Sequence, residues 1–202
     1  MVRKGTAPAS RVIRGSALAL SAWLSLAPAL SARAASAPPY VGDAVLRDTR
    51  GTPVTLADVT RAHRFTVVTF YAVTCPCFAA HVERLRQLVS DLAPQGVGFV
   101  VVDSERHATS DPPIPPEVVP GLPIFRDEGG MLARRLGASY ATESYIVDAA
   151  GHVRYRGGID SDRKYLRSDA QPYLRQALAS LLAGTGPAFA TTKALGCALR
   201  LL

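Results

Sequence analysis

Three thiols in this sequence can take part in redox or soft-metal chemistry: Cys75, Cys77 and Cys197. Two of them flank a single proline in TFYAVTCPCF, residues 69–78, where an apolar run gives way to an amphipathic one. A thiol between the end of a strand and the first turn of a helix meets unpaired backbone N–H groups and the positive end of the helix dipole, and both favour the thiolate. Such placements lower a cysteine pKa below the free value of about 8.5, which turns an inert thiol into a nucleophile or a metal ligand near neutral pH. Pro76 suits the first helical turn because it has no N–H to lose. A disulfide between Cys75 and Cys77 would close a very small ring, strained and easily reduced, so a structural staple is the poorer reading of the pair. The chemistry expected is therefore attack by Cys75 as thiolate, with Cys77 or Cys197 as the resolving thiol and a Cys75 alkylation midpoint well below that of an ordinary thiol.

The same residues admit a second chemistry. His81 lies four residues after Cys77, one turn along the same helix, and a cluster of Cys75, Cys77 and His81 or the more distant His107 would suit a soft ion such as Cu(I). The helical pattern also accounts for His81 as a solvated residue among Glu83, Arg84 and Arg86.

The elements that must position these thiols follow from periodicity. Phe65–Tyr71 (FTVVTFY) and Val97–Asp103 (VGFVVVD) are β-branched and aromatic runs of the kind found in strands covered on both faces. Between them Phe78, Val82, Leu85, Val89 and Leu92 recur at helical spacing, so strand, helix and strand form a βαβ unit with a parallel pair. Upstream, AVLRDTRGTPVTLADV reads as a hairpin around Arg50-Gly51-Thr52. Downstream, the proline-rich DPPIPPEVVPGLP is a connector, since no helix or inner strand survives that density of prolines. A short strand (122–125), a short helix (131–136), an antiparallel hairpin (144–148 and 152–156) and a closing helix (170–182, stopped by Gly184) complete the expected order.

The ends of the chain bound what it does. Residues 1–34 join a basic start to an apolar stretch from about Ala17 to Leu30 and then Ala32-Arg33-Ala34, the layout of a cleavable secretory signal. They hold five of the 23 basic residues and no acid, so the formal +7 falls to 18 basic against 16 acidic residues, or +2, for residues 35–202. A balance so close to neutral points to no nucleic-acid or membrane-surface partner, and the membrane is met only transiently during export. Periplasmic or secreted location follows, where disulfides persist, yet three cysteines are too few for a stapled scaffold. The expected organisation is a signal over 1–34, one α/β domain over 35–183 and a tail over 184–202 that carries Cys197.

Taken together, FTVVTFYAVTCPC with its helix, VGFVVVDSE, the SYIVDAAGHVRYRG hairpin and the closing helix resemble the redoxin (AhpC/TSA) family, from about Pro39 to Ala183. The resemblance implies a thioredoxin-like fold, a central mixed sheet flanked by helices, and a thiol oxidoreductase without cofactor or metal that acts on protein disulfides or thiols, or on peroxide. It places the first redox cysteine at Cys75 and makes Thr74, Pro76, Thr142 and Glu143 the bordering, substrate-contacting residues. It extends to the tail, since exported redoxin-like proteins can end in a similar Gly-Cys segment. Three departures qualify the activity. Thioredoxins carry the second cysteine at the position of Phe78, one residue beyond Cys77. Peroxiredoxins carry a proline and a threonine where Val68 and Ala72 stand, so peroxide reduction is expected to be slow. Where most thioredoxin-like proteins place a cis-proline before the fourth strand, this chain has Ala141-Thr142-Glu143, expected trans because cis before a non-proline costs about 2.5 to 4 kcal/mol.

Copper binding or delivery through Cys75 and Cys77 with a histidine is the alternative function, and a redoxin-shaped binding domain without turnover is a third. The thirteen residues from Gly184 to Cys197 could span about 3.3 Å each when extended, ample to return Cys197 to the site, and Gly196 would ease that approach.

Overall fold

Two strands buried along nearly their whole length organise the computed structural model, which describes residues 1, 5, 38–105 and 118–201. These are β3 (Phe65–Tyr71) and β4 (Val97–Asp103), paired in parallel with Phe65 opposite Val97. Around them the sheet runs β2-β1-β5-β4-β3-β6-β7, seven strands of mixed direction. β1 (Val45–Arg47) and β2 (Pro53–Thr55) form the expected hairpin, and β5 (Ile124–Arg126) joins β4 in parallel. β6 (Ser144–Asp148) and β7 (Val153–Gly157) close the other edge as an antiparallel pair.

Alternation along the central strands divides the core in two. Val67, Phe99, Val101 and Ile146 face α2 (Pro76–Leu92) and α4 (Tyr173–Leu182), packing on Phe78, Leu85, Leu88, Leu174 and Leu178. Val68, Phe70, Val100, Val102, Tyr145 and Val147 face the opposite side, covered by Leu56 of α1 (Leu56–Thr60) and by Leu132 and Leu136 of α3 (Met131–Leu136). A helix on each face of a sheet buried on both explains why β3 and β4 are continuous apolar runs rather than alternating ones.

The expected order of elements holds with one correction and small shifts at the ends: Leu56–Val59, read as part of the hairpin, instead belongs to α1, which the Thr55 and Asp58 side chains cap. α4 starts at Tyr173 rather than 170, because Pro172 stands at its cap. The short strand after the connector is Ile124–Arg126 rather than 122–125, and the last one is Val153–Gly157 rather than 152–156. α2 buries Cys77, Phe78, His81, Leu85, Leu88 and Leu92, so its inward stripe is rotated toward Cys77 and His81 relative to the one read from Val82 and Val89. The proposed secretory signal and most of the proline-rich connector lie outside the described residues. Among the described residues, no helix is long and apolar enough to cross a membrane.

Residues 37–202 form one compact unit that takes in the tail. After Gly184 the chain runs back to β7 and to the segment ahead of β6. Thr191 bridges Arg156 of β7 in parallel, and Ala198 bridges Tyr140 antiparallel, just ahead of β6. The hydroxyls of Tyr155 and Thr192 lie 2.6 Å apart, and Leu199 and Leu201 pack against the core.

Candidate active site

Cys75 caps α2 from its first turn. Its backbone is extended (φ −84°, ψ 106°), and its Sγ accepts the N–H of Phe78 at 3.3 Å, while Pro76 occupies the start of the helix. Cys77 follows Pro76 within the first turn, on the buried stripe. The tail delivers the third thiol: Cys197 Sγ lies 3.7 Å from Cys77 Sγ, and all three sulfurs lie within 4.8 Å of one another. Cys75 and Cys77 are only 4% and 3% exposed, whereas Cys197 is half-buried. The reach of the tail, a bare possibility from its length, is realised as contact.

Backbone groups hold the tail at this place. Ala141 N donates to Cys197 O at 2.9 Å, Leu199 N to Ser139 O at 2.9 Å, and Thr142 Oγ1 to Leu195 O at 3.1 Å. Thr142 adopts φ +82°, the left-handed region, and its N–H donates to Phe70 O at 2.9 Å. Gly196 is required by this approach, since a Cβ there would collide with the carbonyl oxygen of Ala141.

The sulfur environment corrects one expectation. Burial pushes the Cys75 thiol up and the adjacent Cys197 thiol adds to this, while the N–H groups of Phe78 and Cys197 pull the other way; the balance is a raised pKa. The helix start does donate to the sulfur, as its position implies, but desolvation under the tail outweighs it.

Of the other residues singled out, Thr74 and Pro76 are exposed at the rim of the thiol cluster. Glu143 is buried, and its carboxylate accepts from Ser139 N (2.9 Å), Tyr145 OH (2.9 Å) and Arg156 Nε (3.0 Å), bonds that fix the turn before β6. His81 is neither solvated nor free to ligate a metal with the cysteines: it is 1% exposed, its Nδ1 lies 2.7 Å from Cys77 O, and its Nε2 lies 3.2 Å from Asp160 Oδ1. Asp160 also pairs with Arg84 and accepts from Asp162 N at 2.8 Å. Burial works to raise the Asp160 pKa, but these bonds outweigh it and hold the carboxyl below its ordinary value. The copper reading loses its near histidine here, and His107 lies outside the described residues. Three sulfurs this close are the chain's own candidate ligands for any soft cation.

Sequence reasoning missed the His81–Asp160–Arg84 network and the segment that it anchors, Ser161–Arg167. That segment forms a wall of the cavity beside Cys77 and Cys197. The run Arg163-Lys164-Tyr165, following a Gly157-Gly158 break, was the available signal.

The chain resembles known proteins in sequence and in fold. Over 104 residues the chain is 29% identical to the thiol:disulfide interchange protein DsbE of Pasteurella multocida, a match covering 50% of this chain and 55% of that protein. The chain thus spans about half the length of the curated relative it matches. An uncharacterized conserved protein from Geobacillus kaustophilus superposes with a TM-score of 0.70 at 25% identity, covering 82% of this chain and 92% of its own. A hypothetical protein from Sinorhizobium meliloti gives the same TM-score at 23% identity, over 83% of this chain and 96% of its own, and supports the fold. The AhpC/TSA family model matches residues 36–156, the segment running from before β1 into β7 and including Cys75 and Cys77. By that match, over more than half its length, and by its mixed sheet flanked by helices, the chain belongs to the AhpC/TSA family of redoxins and has a thioredoxin-like fold.

Proposed function

We propose that the protein is an exported thiol oxidoreductase whose main reaction is thiol–disulfide exchange, with slow peroxide reduction as a side activity. The observation that carries this reading is the convergence of Cys75, Cys77 and Cys197, two from the start of α2 and one from 120 residues further on, with their sulfurs within 4.8 Å. Thiols at such separations exchange disulfides with little movement. Relatedness to a protein named for thiol:disulfide interchange supports the same reading, and the signal-like layout of residues 1–34 supports export.

In the proposed cycle the Cys75 thiolate attacks one sulfur of a substrate disulfide. That bond breaks, one substrate sulfur leaves as thiolate, and a mixed disulfide forms at Cys75. Cys197 then attacks the Cys75 sulfur, releasing the second substrate thiol, and Cys77 attacks Cys197 to leave a Cys77–Cys197 disulfide and a free Cys75. The substrate disulfide has gained two electrons and two protons, and two protein thiols have lost them. Thr74 and Pro76, at the exposed rim, are the proposed contacts to substrate. Thr142 and Glu143 serve through the tail, Thr142 by its bond to Leu195 O and Glu143 by fixing the turn. With Ala72 beside the site and no hydroxyl there to orient a peroxide, the peroxide reaction lacks a donor that it needs.

Insulin reduction and hydrogen peroxide consumption, each with Cys75→Ser as control, test the reading. Disulfide reduction that depends on Cys75, with peroxide turnover far below it, is the expected result. Peroxide turnover exceeding disulfide reduction would overturn the order of activities, and Cys75→Ser with full insulin-reducing activity would overturn the nucleophile.

A further inference from the structure

The thiol cluster has two approaches of unlike character. On the Cys75 side, a cavity of about 260 Å³ is walled by Tyr71, Ala72, Val73, Phe78 and Val82. On the other side, a cavity of about 550 Å³ is lined by Pro76, Cys77, Arg163, Lys164, Tyr165 and Cys197. Among the described residues lining the second cavity, the one acid is Asp162, and its carboxylate is engaged by Arg84 (3.2 Å) and Arg167 (2.9 Å). Arg163 and Lys164 form no ion pair among the described residues. Arg163 only reaches Gly196 O at 3.4 Å, and the Lys164 ammonium sits 5.5 Å from the centre of the exposed Tyr165 ring. Two cations without carboxylate partners thus stand beside two of the three thiols, in a hollow of the size that takes a small molecule.

Resting on the thiol-exchange reading above, we propose that this cavity binds a small carboxylate-bearing thiol, or its disulfide, as the redox partner that resets the cluster. Cys197 is the point of entry, because it is the half-buried thiol of the three. In the reducing direction, the thiolate of the small molecule attacks Cys197 Sγ and breaks the Cys77–Cys197 bond, and Cys77 leaves as thiolate. A second small thiolate attacks the small molecule's own sulfur in that mixed disulfide, giving the small disulfide and freeing Cys197. Two small thiols lose two electrons, and the protein disulfide gains them. Arg163 and Lys164 hold the carboxylates on the Cys197 side, while substrate meets Cys75 on the other, with Pro76 on the rim between them.

The test uses the reduced full chain and three probes: oxidised glutathione (anionic), hydroxyethyl disulfide (neutral) and cystamine (cationic). Mixed-disulfide formation is followed by quenched-flow mass spectrometry, each rate divided by the rate of the same probe with free cysteine. Oxidised glutathione is expected to exceed the neutral probe about tenfold, a preference that falls away in 0.5 M salt. Arg163→Glu with Lys164→Glu should lower the glutathione rate about tenfold and raise the cystamine rate, with the neutral probe unchanged. Lys164→Glu alone, which alters a side chain set over the Tyr165 ring, should move both rates in the same directions by about threefold. Rates independent of probe charge in the wild type, or a preference that survives both variants, overturn the proposal. Failure of the neutral probe to react at all overturns the exchange reading on which it rests.

Discussion

At the residue scale, the balance at Cys75 decides how the cluster works. Its sulfur accepts from Phe78 N, the donor that its sequence position promised, yet burial and the thiol of Cys197 leave it harder to ionise than a free cysteine. In the proposed cycle the tail that brings the resolving thiol therefore also restrains the nucleophile. Once Cys197 is tied to Cys77, its thiol no longer raises Cys75. Mapped by peptide, the Cys75 alkylation midpoint should lie above the free value of about 8.5 in the reduced wild type and move down in Cys197→Ala, where burial alone opposes the N–H groups. A wild-type midpoint below that of a free thiol would show that the cap dominates after all. The sign carries to stability: a group with a raised folded pKa contributes fully below its unfolded value of about 8.5 and loses that contribution as pH rises toward the folded one. The wild type should lose stability over that alkaline window, and Cys75→Ala should lose less.

At the element scale, the tail behaves as an added strand whose fit depends on a few backbone positions. Gly196→Ala places a methyl group against the Ala141 carbonyl, and crowding of this kind costs about 1 to 3 kcal/mol, enough to shift the tail from docked toward released by about fivefold to a hundredfold. Native-state alkylation of Cys197 should accelerate by a similar factor while the far-UV spectrum stays unchanged, and unaltered alkylation would mean that the tail is not held at Ala141. Regular elements were legible in the sequence because burial imposes a period on them: β3, β4, α3 and β6 begin and end where their patterns do. The tail has no such period. Backbone hydrogen bonds to Ser139–Thr142 and β7 hold much of it, and these leave no mark on side-chain hydropathy; its packed residues Leu199 and Leu201 are too few to set a period, and only Gly196 beside Cys197 hinted at a close approach. His81 misled for the opposite reason. Its charged neighbours Glu83, Arg84 and Arg86 suggested solvent, but its inward partner, Asp160, lies 79 positions away and is invisible to a helical window.

At the scale of the whole molecule, which disulfide forms decides how much of the chain is tied together. A Cys75–Cys77 bond closes a ring within one turn of α2 and constrains almost nothing in the unfolded chain. A Cys77–Cys197 bond joins residues 120 apart, across every element from α2 to α4, and loop-closure entropy for such a span is worth about 4 to 5 kcal/mol when the native geometry is unstrained. The oxidised protein should therefore resist denaturant more than the reduced one by several kcal/mol, and Cys197→Ser should erase the difference while Cys75→Ser keeps it. Chemical denaturation of both redox states, with non-reducing peptide maps of the same samples, measures this directly. An oxidised wild type no more stable than the reduced one, with its bond mapped to Cys75–Cys77, would remove the tail from the cycle and leave the CPC pair working alone. A large gain that persists in Cys75→Ser would instead establish the tail disulfide as the resting product, the state that an outside reductant must open.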